Sequence, residues 1–138
     1  MFWTYEGREV NTPPFGSIGF IYEICNEIDG RRYIGKKSLV KSKLKKSGSR
    51  NKRVFTESDW RDYYGSNKEL LADIDYYGAV NFTREILKWC ISKGDMNYYE
   101  LKYQIQYEVL EHPERYYNSY IGGRINRNHL SSNKKPRE

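Results

Sequence analysis

The chain has 138 residues and a formal net charge of +6, with 24 basic residues against 18 acidic ones. A chain of this length forms one domain that buries about two thirds of its unfolded surface, so its core needs no disulfide support. No stretch approaches the ~18 consecutive apolar residues of a membrane helix, and the N-terminus lacks the basic and apolar regions of a signal peptide, so we expect no membrane partner.

Residues 1–16 contain two glycines and two prolines and are expected to form an irregular N-terminal arm. A single domain is expected from residue 17 to residue 130. It opens with a mostly buried strand, Ile18–Cys25, followed by an Asp-Gly turn and a return strand, Arg31–Lys36. This order predicts an antiparallel β-hairpin.

Residues 38–57 are expected to form a long basic loop inserted into this domain. Between Arg31 and Arg53 there are 11 basic residues, and no acidic residue separates Asp29 from Glu57. The rest of the chain is net acidic, so the positive charge is concentrated in one segment. Such a cluster indicates a surface that binds a polyanion, and the alternative is a solvated mobile loop. The two are compatible, because loops can order on binding.

The remainder of the domain predicts helix, strand and helix in that order. A Ser-x-x-Glu capping box at Ser66 and a glycine at Gly78 delimit the first helix. Residues 82–91 are rich in strand formers and predict a third strand. Residues 97–111 predict a second helix whose two neighbouring apolar stripes pack across the sheet. The polar residues 131–138 are expected to form a disordered tail.

The two cysteines, Cys25 and Cys90, match no zinc-site spacing and are too few for a disulfide framework. We expect both to be small buried residues in a reducing cytoplasm. Sequence reasoning therefore assigns them no function.

The predicted hairpin carries two short motifs, residues 19–22 (Gly-Phe-Ile-Tyr) and residues 33–36 (Tyr-Ile-Gly-Lys). With these half-motifs the chain resembles the GIY-YIG nucleases. The second half-motif is complete, whereas in the first Phe20 stands at the glycine position and the glycine lies one residue earlier. Further stretches resemble blocks of small phage-borne, homing-endonuclease-like members: 57–60, 64–67, 81–87, 98–102 and 116–118. The resemblance covers about residues 19–129.

The resemblance implies an α+β fold in which a small three-stranded antiparallel sheet, including the hairpin, is flanked by helices. It also implies an endonuclease that hydrolyses phosphodiester bonds in DNA, with double-stranded DNA as the first expectation and Mg²⁺ (or Mn²⁺) as cofactor. A phage-encoded member would act in the cytoplasm of the host cell. The sequence predicts neither an oligomeric state nor a cleavage specificity.

Phosphodiester hydrolysis needs an activated water, a cation beside the developing negative charge and a positioned phosphate. Family members use a single glutamate on the helix after the third strand, and the resemblance places it at Glu100. Mg²⁺ accepts one carboxylate together with water and phosphate oxygens. Asn97 and Glu100 also fit a helix-capping pair, and the two roles do not exclude each other.

Tyr22 and Tyr33 are expected to face the same groove across the hairpin, where the resemblance implies that one of them deprotonates the attacking water. A free phenol has a pKa of about 10, which Lys36 and a bound divalent ion would lower. The alternative is an ordinary cross-strand aromatic pair. Lys36 matches a family lysine that touches the active site. Asn118 resembles an asparagine that helps to hold the site, with a plain turn residue as its alternative.

The family arginine typically follows the second motif tyrosine by about ten residues, where this chain has Lys43. Lysine does not replace the bidentate fork of a guanidinium group on phosphate. We therefore predict Arg53 as the catalytic arginine, with Arg50 and Arg61 as alternatives. The residues predicted to bind nucleic acid are Lys37, Lys41, Lys43, Lys45, Lys46, Arg50, Lys52, Tyr64 and Ser66.

Two other functions compete with the nuclease: a catalytically inactive nucleic-acid-binding module on the same fold, and a basic structural protein associated with RNA. The joint presence of Tyr22, Tyr33, Lys36 and Glu100 favours the nuclease, because a pure binding protein needs no carboxylate facing a phosphate.

Overall fold

The computed structural model describes residues 2–48, 50–122, 125–129 and 133. The predicted tail, residues 131–138, lies outside the described residues except for Asn133. The elements of the described part are β1 (Trp3–Tyr5), β2 (Arg8–Glu9), β3 (Gly19–Asn26), β4 (Arg32–Ser38), β5 (Val40–Ser47), β6 (Arg50–Glu57), α1 (Lys68–Tyr77), β7 (Phe82–Cys90), α2 (Lys93–Gln106), β8 (Tyr120–Ile121) and β9 (Ile125–Asn126). No helix in this part of the chain is long and apolar enough to cross a membrane.

The main sheet has the strand order β2-β1-β7-β3-β4. Its three central members are the predicted ones, with β3 antiparallel to both β4 and β7. The α+β fold class is confirmed, and the sheet is extended from three strands to five by the N-terminal segment.

The prediction of an irregular arm is wrong, because β1 pairs in parallel with β7 and β2 pairs with β1. Trp3 is 2% exposed, and its indole nitrogen donates to the Trp60 carbonyl at 2.6 Å. The domain therefore begins before residue 17. A strand of only three residues is too short to show a periodicity, so its pairing could not be read locally.

The sheet buries an apolar core on each of its faces. Phe20, Tyr22 and Ile24 pack with Trp3, Trp60 and Leu70 of α1 on one face. Ile21 packs with Ile34, Cys90, Met96, Val109 and Leu110 on the face covered by α2. Because successive residues of a strand point to opposite faces, β3 contributes to both cores and is buried along almost its whole length. Cys90 is buried as predicted, while Cys25 is only partly buried.

Both helices begin at other residues than predicted. The N-cap of α1 is Asn67, whose side chain accepts from the Leu70 amide at 2.9 Å, and not Ser66. Gly78 ends α1 with φ of 90° as predicted. The second helix begins four residues early, at Lys93, because Ser92 accepts from the Asp95 amide.

The second helix also ends earlier than predicted, at Gln106, and Glu108 has a positive φ of 54° that is incompatible with helix. Since α2 starts at Lys93, Asn97 lies inside the helix. The predicted capping pair of Asn97 and Glu100 is therefore wrong.

The predicted basic loop is also wrong, because residues 40–57 form a regular antiparallel hairpin. β5 pairs with β6 from Val40 opposite Glu57 to Ser47 opposite Arg50, and these two strands make a separate two-stranded sheet. Alternation of lysines with Val, Leu and Ser is compatible with a strand whose two faces differ. The run of charge concealed this period in the sequence.

Candidate active site

The two motif tyrosines lie side by side across the β3–β4 pair. The ring centroids of Tyr22 and Tyr33 are 6.1 Å apart. Gly35 lies opposite Tyr22 in the register. A Cβ atom at Gly35 would lie 2.6 Å from the Tyr22 hydroxyl and 2.9 Å from the Tyr33 ring. The glycine of the second half-motif is therefore required for the two phenols to occupy this position together.

The departure in the first half-motif also has a structural reason. Phe20 is fully buried, and its ring makes edge contacts with Trp3, Trp60 and Trp89. A Cβ atom at Gly19 would lie 2.8 Å from the Lys37 carbonyl and would overlap Met96 of α2. The glycine one position earlier is thus the residue that lets α2 approach the sheet.

Burial controls the ionisation of both phenols. It raises the pKa of Tyr22, which is 1% exposed, well above its ordinary value, and the neighbouring Tyr33 and Tyr63 add to the effect. It also raises the pKa of Tyr33 to about 12, although a hydrogen bond with Ser66 acts in the opposite direction. Both side chains are therefore protonated at neutral pH.

Both phenol pKa values are raised and not lowered as predicted, and the ammonium group of Lys36 is turned toward α2. It donates to Asn97 Oδ1 and lies 3.8 Å from Glu100 Oε1. The effect of a bound divalent ion on these phenols stays a prediction.

One side of α2 carries polar residues and packs against β4. Asn97, Glu100 and Gln104 are spaced by three and four residues and therefore share a side of the helix. Asn97 accepts from Lys36, and Gln104 Nε2 donates to the Ile34 carbonyl at 3.0 Å. Glu100 lies between these two contacts and faces the pocket.

The Glu100 carboxylate is poorly solvated, with 22% of its side chain exposed. Burial raises its pKa, and Lys36 partly offsets this. A desolvated carboxylate oxygen with one distant cationic partner suits a hard divalent cation. Among the described residues no group of three His, Cys, Asp or Glu side chains could hold a metal. The donor set at Glu100 therefore fits an ion that takes its other oxygens from water and substrate phosphate.

Asn118 grips the backbone between Tyr33 and Gly35. Its Oδ1 accepts from the Ile34 amide at 3.1 Å, and its Nδ2 donates to the Ile34 carbonyl at 2.8 Å. The side chain is 2% exposed. Asn118 is brought there because residues 115–117 run along the edge of β4, with Tyr117 N donating to Arg32 O at 2.8 Å. It is therefore more than a turn residue: together with Gln104 it fixes the peptide that follows Tyr33.

These residues line one open pocket of about 1100 Å³ that wraps around the β4 edge of the sheet. The pocket unites six of the predicted site residues: Tyr22, Tyr33, Lys36, Ser66, Glu100 and Asn118. Sequence reasoning missed other lining residues, among them Asn67, Lys68, Gln104, Tyr117 and Arg127. Only Gln104 had a usable signal, since it lies one helical turn after Glu100.

None of the three candidate arginines lines the pocket. Arg53 lies on β6 and donates to Ser42 at 2.8 Å, and Arg50 lies at the exposed end of the same hairpin. Arg61 stacks on Trp60 and pairs with Glu57. Among the described residues the arginine that lines the pocket is Arg127, which donates to the Asn118 carbonyl at 2.7 Å and so supports the backbone there.

Two predicted DNA-binding residues already have partners within the protein. Lys37 points to the face opposite Lys36, and its ammonium group lies 2.6 Å from Asp59 and 4.1 Å from the centre of the Tyr63 ring. The ring of Tyr64 is covered by the Arg84 guanidinium group at 4.2 Å. The remaining ones, except Ser66 in the pocket, are exposed on the hairpin: Lys41, Lys43, Lys45, Lys46, Arg50 and Lys52.

Comparison with known proteins gives two matches. Residues 3–121 match a family model described as "Putative endonuclease segE, GIY-YIG domain". The chain is 33% identical over 105 residues to "Putative endonuclease segE" of Enterobacteria phage T4, a match that covers 75% of this chain. It covers 42% of that relative, so the chain spans about two fifths of the relative's length. No solved structure matches the chain.

Proposed function

The chain belongs to the GIY-YIG endonuclease family, whose model covers residues 3–121, and we propose that it acts as a metal-dependent DNA endonuclease. The observation that carries this proposal is the convergence of Tyr22, Tyr33, Lys36 and Glu100 on one pocket. The pocket is built on the two strands that bear the half-motifs, and its residues are of the types that phosphodiester hydrolysis needs.

We place a divalent cation, Mg²⁺ or Mn²⁺, at Glu100. When bound, it would stabilise the negative charge that develops on the phosphate and polarise the attacking water. The raised pKa of the Glu100 carboxyl supports this role, because an anion that is poorly solvated gains from a cation. Lys36, 3.8 Å from Glu100, supplies a second positive charge for a phosphate oxygen.

We propose that Tyr33 contacts the attacking water, since it is the less buried of the two phenols. Without substrate both phenols are protonated and can donate a hydrogen bond, so either one acts as a base only if a bound cation lowers its pKa. Tyr22 packs against the Tyr33 ring and lines the same pocket, so its hydroxyl is the alternative base. Asn118 and Gln104 act through the Ile34 peptide and are positioning residues.

Double-stranded DNA is the proposed substrate. The concentrated positive charge of the β5–β6 hairpin would attract its phosphates, and phosphate contacts position a protein without reading the base sequence. Arg53 is on this hairpin as well and does not line the pocket, so we assign it no part in the chemical step. The name of the phage T4 relative states no substrate. The proposal of DNA as substrate is supported by the concentrated positive charge of the hairpin and by the family.

The test is incubation of the purified chain with supercoiled plasmid in buffers that contain Mg²⁺, Mn²⁺ or EDTA. We expect nicked or linear plasmid with either metal and none with EDTA. A protein that binds the plasmid but leaves it intact in both metals would instead be a binding module on a nuclease fold.

A further inference from the structure

The β5–β6 hairpin is set apart from the domain that carries it. Its two strands form their own sheet, and its described side chains are exposed. At its base Ser58 donates to the carbonyls of Leu39 and Ser38, at 2.9 Å and 2.6 Å. An isolated two-stranded ribbon is at best marginally stable by itself. Because the described side chains of this hairpin are exposed, packing in a core does not explain which side chains it carries.

Strand pairing sorts these side chains into two unlike faces. Lys41 pairs with Thr56, Lys43 with Val54 and Lys45 with Lys52, and side chains of one pair share a face. The described residues of the first face, named the lysine face here, are Lys41, Lys43, Lys45, Arg50, Lys52, Val54 and Thr56. The described residues of the second, the mixed face, are Val40, Ser42, Leu44, Lys46, Asn51, Arg53, Phe55 and Glu57.

The two faces also differ in how their charges are engaged. The lysine face carries five basic residues and no acidic one, and within the described part of the chain none of the five forms an ion pair. On the mixed face Arg53 donates to Ser42, and Glu57 pairs with Arg61. The mixed face carries two basic residues, Lys46 and Arg53, against one acidic residue, Glu57, so a polyanion would meet a higher density of positive charge on the lysine face.

We propose that the lysine face alone is the docking surface for duplex DNA; this inference rests on the proposed nuclease function. Same-face residues of a strand repeat every ~6.7 Å, so Lys41, Lys43 and Lys45 form a row about 13 Å long and Arg50 and Lys52 extend the neighbouring row by about 7 Å. Duplex DNA presents one phosphate charge per ~1.7 Å of its axis, a dense linear array that such rows can follow. A two-stranded ribbon is also a shape that the major groove admits.

The inference separates two lysines that sequence reasoning treated alike. Lys45 and Lys46 are neighbours on β5, both exposed, and they point to opposite faces. Lys45 is predicted to contact phosphate and Lys46 is not. Each is thus the matched control for the other, because residue type, charge and position along the strand are the same.

The experiment measures binding of the full chain to a fluorescent duplex of arbitrary sequence, in EDTA, over a range of salt concentrations. Each phosphate contact adds about −0.9 to the slope of log K against log salt. We expect Lys45→Ala to reduce the magnitude of that slope by about 0.9 and to weaken binding several-fold, while Lys46→Ala leaves both unchanged. The triple variant Lys41→Ala, Lys43→Ala, Lys45→Ala should lose about 0.9 per lysine.

Equal effects of Lys45→Ala and Lys46→Ala, or no effect of either, would overturn the inference, as would tighter binding of a single strand of equal length. Thermal melting of each variant checks that the fold is retained. Plasmid cleavage by the wild-type chain in Mg²⁺ is measured in parallel. If the wild-type chain cleaves plasmid but Lys45→Ala and Lys46→Ala bind DNA alike, the docking surface is rejected and the nuclease function is not. If the two variants bind DNA differently but the wild-type chain does not cleave, the nuclease function is rejected and the docking surface is not.

Discussion

The pocket at the β4 edge and the β5–β6 hairpin are built on opposite physical principles. In the pocket, Tyr22 and Asn118 are almost fully buried, and hydrogen bonds to the backbone hold the peptide next to Tyr33. On the hairpin the lysines are exposed and make no ion pair among the described residues. Chemistry needs fixed geometry and altered proton affinities, both of which require burial. Docking on a polyanion needs charge that stays solvated until the partner arrives.

If this contrast is correct, changes in the pocket should affect the rate of cleavage, and changes on the lysine face should affect binding. The largest effect is expected at Glu100. Glu100→Gln should abolish metal-dependent cleavage of supercoiled plasmid, a loss of at least ~10³-fold, with DNA binding in EDTA retained. The matched control is Glu111→Gln, an exposed carboxylate beyond α2, which should cleave normally. Wild-type rates in the Glu100 variant would remove this residue from the mechanism.

The same substitution should not destabilise the protein. Because the pKa of Glu100 is raised in the folded state, its stabilising contribution is present below the ordinary carboxyl pKa and is lost as the pH rises through the folded value. At pH 7 the charged group therefore opposes folding. We expect the melting temperature of Glu100→Gln at pH 7 to be equal to or above that of the wild type, measured by circular dichroism without metal. A clear decrease would mean that Lys36 and Glu100 stabilise the fold.

The next largest effect is expected at the phenols. Tyr33→Phe and Tyr22→Phe keep the aromatic packing and remove only the hydroxyl, and each should lower the cleavage rate by at least ~10²-fold. The salt dependence of DNA binding should not change, because neither phenol lies on the β5–β6 hairpin. Tyr76→Phe, at a phenol that is 81% exposed on α1, serves as the control. Normal cleavage by both pocket variants would make the pair structural.

The hydrogen bonds of Asn118 and Gln104 to the Ile34 backbone should affect both the free energy of unfolding and the rate of cleavage. Asn118→Leu leaves a buried amide and a carbonyl with fewer partners and should lower the free energy of unfolding by about 2–3 kcal/mol. Gln104→Leu removes one hydrogen bond to the same peptide instead of two, so its effect should be smaller. Urea unfolding measures both variants. Equal losses, or none, would contradict the role assigned to Asn118.

Burial of Tyr33 predicts a loss of stability at alkaline pH. Its pKa is raised to about 12, so its contribution is complete below the ordinary phenol pKa and is lost as the pH rises through the folded value. Between about pH 10 and pH 12 the wild type should lose about 2 kcal/mol that Tyr33→Phe retains. Denaturant midpoints at several pH values measure this difference. Parallel curves for the two proteins would show that the phenol is solvated.

The smallest effect on stability is expected on the lysine face. The triple alanine variant of Lys41, Lys43 and Lys45 should change the free energy of unfolding by less than about 0.5 kcal/mol, as is usual for exposed positions. KM for DNA should rise, while kcat at saturating DNA stays near the wild-type value. A drop of several degrees in melting temperature would show that these side chains support the fold, and would remove the contrast between the two regions.

Predictions from local sequence succeeded where the structure depends on local pattern. The β3–β4 hairpin was found because its Asp-Gly turn and apolar strand are contiguous in the chain. The third strand was also predicted from a contiguous run, residues 82–91, which is rich in strand formers. In the structure it ends at Cys90, one residue from the predicted end. The apolar stripes predicted on α2 were less accurate, since Tyr98 and Ile105 are 60% and 55% exposed. There the buried side also holds Gln104, which a hydrophobic pattern does not detect.

The failures concern contacts between distant parts of the chain. Trp3 is buried because β1 pairs with β7, some 80 residues away, and no local signal in a three-residue strand reports this. The sequence predicts a loop at residues 38–57 because the run of basic residues conceals the alternation of the β5–β6 hairpin. Arg53 was chosen by distance along the chain, but the hairpin carries it away from the pocket. No spacing in the sequence indicated that Arg127 would line the pocket.

The sequence by itself determined the motif strands, the identity of the pocket residues Tyr22, Tyr33, Lys36 and Glu100, and the segment that carries the positive charge. These follow from residue type, short periodicity and resemblance, which are all properties of neighbouring residues. Three features depend on the tertiary structure: the raised pKa of both phenols, the hydrogen bonds of Asn118 to the Ile34 backbone, and the opposite orientation of Lys45 and Lys46. Proton affinity depends on burial, and burial and strand register depend on which distant segments pack together.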